Sequence, residues 1–150
     1  MHDEKDTATA GRPTLILVDD DSDDRLLMKM ALRELRLNLS IQEVENGRHL
    51  LLYLRADFAA HPNVAFVPWI IVLDKHMPEL GGFDTLIAIK ADPIFSLVPV
   101  VLFINPDDAD DRARCEALGA TVCVPKPTDF NQMKILMQDI YDLWRATNHA

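Results

Sequence analysis

The sequence predicts an α/β fold: a doubly wound sandwich with a five-stranded parallel sheet and helices on both faces. Three observations carry that prediction. Apolar runs alternate with helix-period segments five times along the chain. Three of the runs, Leu15–Val18, Trp69–Leu73 and Val100–Ile104, are nearly continuous in apolar residues, as strands covered on both faces should be. Right-handed crossovers would then collect the carboxyl ends of all strands at one edge, and charged or turn residues follow these runs.

The elements follow in order. Residues 1–12 read as a flexible tail, with one domain over 13–147. The first strand is Leu15–Val18. Ser22 can cap a helix to about Leu37, with Leu27, Ala31 and Leu35 on one face. Ile41–Val44 is the second strand, and Asn46 can cap a helix to about Arg55. A long loop, Asp57–Pro68, precedes the third strand at Trp69–Leu73. The third helix is Gly82–Ala91, with Phe83, Leu86 and Ile87 as its apolar side and Asp92-Pro93 as its stop. Val100–Ile104 leads to a helix over Asp107–Leu118 that ends at Gly119. Thr121–Val124 is the last strand. Thr128–Ala146 is the last helix, its Met133, Leu136, Ile140 and Trp144 read as core packing.

Bulk properties narrow the function. At 150 residues the chain has the length of one domain with a proper core, and 49% hydrophobic residues argue against disorder. The net charge of −9 argues against nucleic acid or an anionic membrane as a direct partner. The longest apolar stretch, Val64 to Leu73, is too short to span a bilayer and contains Pro68. The N-terminus has no signal-peptide apolar region, so a cytoplasmic protein is expected. Cys115 and Cys123 form no CxxC pair and read as two ordinary thiols of a reducing cytosol.

The strand ends are the informative positions. Asp19, Asp20 and Asp21 follow the first strand, within the run LVDDDSDDR, which holds five carboxylates in six positions. Asp74 follows the third strand in VLDKHMPELGG, Asn105 and Pro106 the fourth, and Lys126 the fifth in VPKP. Carboxylates this close repel unless they reach solvent, meet a helix N-terminus or hold a cation. Hard oxygen ligands suit Mg²⁺, and an opposing lysine suits a phosphoryl group. Asp19 and Asp20 are the expected metal carboxylates. Asp23 and Asp24 fall in the first helical turn, where the macrodipole favours acids, and a structural role is expected for both. Asp21 is read as a neighbour that adds negative potential.

With these motifs in hand, the sequence resembles the receiver domains of two-component response regulators, of the CheY-like single-domain kind. The resemblance rests on LVDDD, VLDKHMPELGGF, the PVV that opens the fourth strand, and GATVCVPKP. It implies a flavodoxin-like (βα)5 sandwich with strand order 2-1-3-4-5. It further implies that Asp74 accepts a phosphoryl group from a sensor histidine kinase or a histidine phosphotransfer protein. Asp19, Asp20, Asp74 and the backbone carbonyl of His76 would bind Mg²⁺. Lys126 would contact the phosphoryl oxygens, and Pro127 would be a cis proline. The His76 side chain is expected to point to solvent.

Two positions depart from that family. Its hydroxyl residue at the end of strand four falls on Ile104, and its strand-five aromatic on Cys123. Asn105 stands one position further and could offer an amide in an alternative register. The first expectation is therefore a stand-alone phospho-acceptor that signals through protein contact or onward phosphotransfer, as monomer or homodimer, assisting its own phosphorylation without being an enzyme in the usual sense. The second is a phosphorylation-independent adaptor, motivated by Ile104 and Cys123. A remote third is a haloacid-dehalogenase-like phosphatase, suggested by Asp19-x-Asp21 and opposed by Asp23 where that motif has Thr or Val. A flavodoxin is disfavoured because no Ser/Thr/Gly-rich phosphate loop follows the first strand.

Overall fold

The structure is a computed structural model and describes residues 12–62 and 67–149. The expected tail over 1–12 therefore lies outside the described residues, apart from Arg12.

Five strands alternate with five helices. They are β1 (Thr14–Val18), α1 (Ser22–Leu35), β2 (Ser40–Val44), α2 (Gly47–Ala60), β3 (Trp69–Leu73), α3 (Gly82–Ala91), β4 (Val100–Ile104), α4 (Ala109–Ala117), β5 (Val122–Pro125) and α5 (Phe130–His149). All strand pairs are parallel, in the order β2-β1-β3-β4-β5. The three apolar runs are the three central strands, and β3 and β4 are buried at every position. Alternate residues feed two cores, one per face, because successive side chains of a strand point opposite ways. Ile16, Val18, Ile71 and Leu73 pack with Leu50, Leu54, Leu86 and Ile89 on the α2–α3 side. Leu15, Leu17, Ile70 and Val72 pack with Met28, Ala31, Met137, Ile140 and Trp144 on the α1–α5 side.

Several element details differ from the sequence reading, each for a local reason. Asp21, not Ser22, caps α1: its carboxylate accepts the backbone N–H groups of Asp23 and Asp24. The helix stops at Leu35 because Arg36 takes a left-handed conformation, φ 54°. Its buried face is Met28, Ala31 and Leu32, with Leu27 and Leu35 only half-buried. α2 continues to Ala60, so the loop starting at Asp57 is shorter than expected; Phe58 extends the apolar stripe and meets Phe95 edge-on at 6.4 Å. In α3, Ile89 takes the core position expected for Ile87, which is exposed. In α5, Met137 rather than Leu136 is fully buried. Asp108 and Asp129 accept backbone N–H groups at the first turns of α4 and α5, which start later than expected.

The cysteines are a clear correction. Cys115 of α4 and Cys123 of β5 are joined in a disulfide, not left as thiols. Gly119, at φ 91°, turns the chain sharply after α4 and lays β5 alongside it. The two Cα atoms end 6.2 Å apart, within bridging range. A separation of eight residues gives no hint of this in sequence.

Candidate functional site

The carboxyl edge of the sheet is built by the backbone ladder running on past the strands. Asp74 N–H donates to Val18 O at 3.0 Å, and Asp19 N–H to Val44 O at 3.2 Å. These bonds fix the two aspartates side by side above β1 and β3. Asp19, Asp20 and Asp74 each offer a carboxylate oxygen, and the three atoms lie within 4.8 Å of one another. Asp19 is buried, Asp74 half-buried and Asp20 exposed. Three hard oxygen donors open to solvent on one side fit a divalent cation that keeps some of its water.

Lys126 comes in from the end of β5. Its ammonium lies 2.7 Å from Asp19 Oδ2, 2.8 Å from Asp24 Oδ2 and 3.3 Å from Asp74 Oδ1. Asp19 is fully engaged, since its Oδ1 accepts the Asp21 N–H at 3.0 Å. Burial of Asp74 pushes its carboxyl above the ordinary 3.8, and the Asp19 charge adds to this; Lys126 only partly opposes them. For Lys126, burial pulls the other way but is outweighed by its bonds to Asp19 and Asp24 and by the Asp74 charge, so its pKa is raised. From sequence, lysine and metal together are expected to hold Asp74 in its charged form. Lys126 opposes the upward shift of Asp74 only in part, and Asp19 and Asp24 share the same ammonium.

The structure thus unites four of the expected residues, Asp19, Asp20, Asp74 and Lys126. His76 is exposed beside them, as expected. Ile104 is buried in the same cluster as Phe83, Cys115 and Cys123, so it presents no polar group. Asn105 is engaged elsewhere: its Oδ1 accepts the Asp107 N–H at 3.0 Å, and its own N–H donates to Asp111. The peptide bond before Pro127 is trans, since no cis bond occurs among the described residues. Trans is the ordinary preference of such a bond, and Lys126 reaches all three carboxylates with it.

Three participants were missed. Asp24 contacts Lys126 directly and is more than a first-turn acid. Its place in the first turn of α1, directly after the Asp19–Asp21 run, was the available signal. Arg25 donates to the Asp19 carbonyl and pairs with Glu43 at 3.0 Å, tying α1 to β2. Lys75, next to Asp74, binds both oxygens of Asp111 at 2.9 and 2.7 Å, and sits over the Phe83 ring. Asp111 is buried in the first turn of α4 and also accepts the Asn105 N–H at 2.9 Å.

Lys75 thus ties the Asp74 loop to α4. Asp111→Ala leaves the part-buried Lys75 ammonium and the Asn105 N–H without their acceptor, an expected loss of about 2 kcal/mol in urea unfolding. The bond from Lys75 holds the Asp111 carboxyl below 3.8 despite burial. A depressed acid contributes stability above its unfolded value and loses it as pH falls through the folded one. The wild-type advantage over Asp111→Ala should therefore persist at neutral pH and shrink below about pH 4.

Gly82 secures the other side of the loop. Its N–H donates to Lys75 O at 2.8 Å. A β-carbon there would lie 2.5 Å from the Asp74 carbonyl oxygen and 2.8 Å from Leu102. Gly82→Ala is expected to cost about 2 kcal/mol in denaturant unfolding, because backbone must move. It should also weaken divalent-cation binding, since the displaced backbone is that of Asp74.

The fold and site define an α/β protein with three carboxylates and one lysine gathered at the carboxyl edge of a five-stranded parallel sheet. The chain belongs to the response regulator receiver domain family, whose model matches residues 15–138. It is 31% identical over 116 residues to the two-component response regulator ORR12 of Oryza sativa subsp. japonica, covering 77% of this chain and 87% of the relative. A response regulator receiver domain from Rhodospirillum rubrum is 27% identical with a TM-score of 0.75, over 86% of this chain and 94% of that one. The phosphorylated cyanobacterial phytochrome response regulator RcpA is also 27% identical, with a TM-score of 0.74 over 91% and 96%. Among the described residues, no helix is long and apolar enough to cross a membrane.

Proposed function

We propose that this chain is a phospho-acceptor receiver, with Asp74 the residue that takes the phosphoryl group. The observation that carries the reading is the convergence of Asp19, Asp20 and Asp74 within 4.8 Å, with Lys126 3.3 Å from Asp74. The donor would be a phosphohistidine on a sensor kinase or a phosphotransfer protein. An Asp74 oxygen attacks phosphorus, the P–N bond breaks, and the imidazole leaves with its electron pair and takes up a proton. Asp19, Asp20, Asp74 and the His76 carbonyl would hold Mg²⁺, which supplies charge neutralisation when bound. Lys126 would turn from Asp19 and Asp24 to the new phosphoryl oxygens. The solved relative named as phosphorylated supports the reading by similarity.

The competing reading is an adaptor that works without phosphorylation. Ile104 in the core and Cys123 in a disulfide favour it, since neither the hydroxyl nor the aromatic expected for a switch is present. A ligand shifts a conformational equilibrium only through differential contacts.

Incubation with acetyl phosphate and Mg²⁺, followed by intact mass, separates the two. One added phosphoryl group that needs the metal and vanishes in Asp74→Asn supports the phospho-acceptor. No adduct, with Mg²⁺ binding measured separately, supports the adaptor. An adduct that persists in Asp74→Asn means that another residue is the nucleophile.

A further inference from the structure

We propose that Cys115–Cys123 is a redox-modification site whose bond fastens α4 to the sheet and whose reduction loosens it. The helix needs such a fastening. Of its nine residues only Asp111 and Cys115 are buried. Its other ties are polar and peripheral: Asp111 to Lys75, Arg112 Nη1 to the Cys123 carbonyl at 2.7 Å, and Arg114 stacked 4.3 Å over Phe83. A helix with so little apolar burial opens locally at low cost.

That property also answers how a reductant gains access. Cys115 is 0% and Cys123 6% exposed, so the bond is sealed while α4 is seated. Its location favours attack once α4 lifts, since β5 is the edge strand of the sheet. The ligand class is a small dithiol, with a low-molecular-weight disulfide as the opposing oxidant. A thiolate of the dithiol attacks one sulfur, the S–S bond breaks, and the released cysteine thiolate takes up a proton. The second thiol then displaces the mixed disulfide, freeing the other cysteine. Two electrons and two protons pass from the dithiol to the protein, and the dithiol leaves as its disulfide. Glutathione disulfide reverses the balance and departs as two thiols. α4 also carries Asp111, the partner of the residue beside Asp74, so loosening it acts on the loop that holds the carboxylates. The proposal goes beyond the phospho-acceptor reading and does not depend on it.

The test uses the whole chain. Samples are treated without denaturant with either glutathione disulfide or dithiothreitol, then quenched in acid. Thiols are counted by alkylation and intact mass, and amide hydrogen exchange is followed in both forms. The expected result is no alkylated cysteine after glutathione disulfide and two after dithiothreitol. Amides of α4 should exchange about tenfold faster in the reduced form, with β1 and β3 unchanged, and reoxidation should restore them. Cys123→Ser, which cannot form the bond, should match the reduced wild type after dithiothreitol. If that variant does not fold, the wild-type comparison decides alone. Alkylatable cysteines after glutathione disulfide, reduction only in denaturant, or equal α4 exchange in the two forms would each overturn the proposal.

Discussion

Replacing Lys126 with alanine is expected to destabilise the metal-free protein by about 3 kcal/mol and to slow phosphoryl-adduct formation about a hundredfold. The two effects share one cause. Lys126 is the cation that contacts Asp19, Asp24 and Asp74 together, and Asp19 is 1% exposed. Removing one partner of a buried pair leaves the other charge without compensation, which costs more than the pair itself contributes. Asp74 would be pushed further toward its neutral form, which cannot attack phosphorus. Urea unfolding with and without Mg²⁺ checks the argument. The stability loss should shrink when the cation is added, because it supplies the missing charge. The adduct rate should stay low even in saturating Mg²⁺. Full recovery of the rate would mean that Lys126 serves only to hold the empty pocket together.

Asp74→Asn should do the opposite to stability while abolishing the adduct. The wild-type Asp74 carboxyl is raised above 3.8, first by burial and then by Asp19. An acid raised in the folded state contributes stability below its unfolded value, and that contribution is lost as pH rises toward the folded one. At neutral pH the wild-type metal-free protein therefore carries the full penalty of a buried, repelled charge. The neutral amide of Asp74→Asn carries none, so that variant should melt higher than wild type at pH 7 in a chelator. The gap should close as pH falls toward 4 and when Mg²⁺ is added to wild type. Identical melting at pH 7 would mean that Lys126 already balances the site.

These expectations rest on side chains that differ in how readable they were. The strands announced themselves, because Trp69–Leu73 and Val100–Ile104 are apolar without interruption and only a covered strand tolerates that. Asp19, Asp74 and Lys126 were legible as the polar residues standing next after such runs. Where several residues could serve equally, local pattern did not choose among them. Asp20, Asp21 and Ser22 can all cap a helix, and the one whose backbone is extended at the right point, Asp21, does so. In α1, apolar residues at 26, 27, 28, 30, 31 and 32 blur the face, and packing against α5 decides for Met28 and Leu32. The Lys75–Asp111 pair spans 36 residues and the disulfide depends on one glycine turn. Neither leaves a periodic trace, because both arise only once β4, α4 and β5 are assembled.

The opposite edge of the sheet bears on how the molecule is made in a cell. The strand that presents Asp74 is anchored at its start by the far end of α5: Trp144 Nε1 donates to Val67 O at 2.6 Å, and Val67 N–H to Asn148 Oδ1 at 2.8 Å. During translation, β1, β2 and β3 leave the ribosome long before residues 144 to 148 exist. Those strands can meet as the chain grows, but the clasp on Val67 cannot close until the last turns of α5 have cleared the exit tunnel. Until then Ile70, Val72 and the rest of the α1–α5 core face solvent on one side. In that interval the uncovered apolar face is open to association, as in any half-built core, and a ribosome stalled near residue 140 would prolong it.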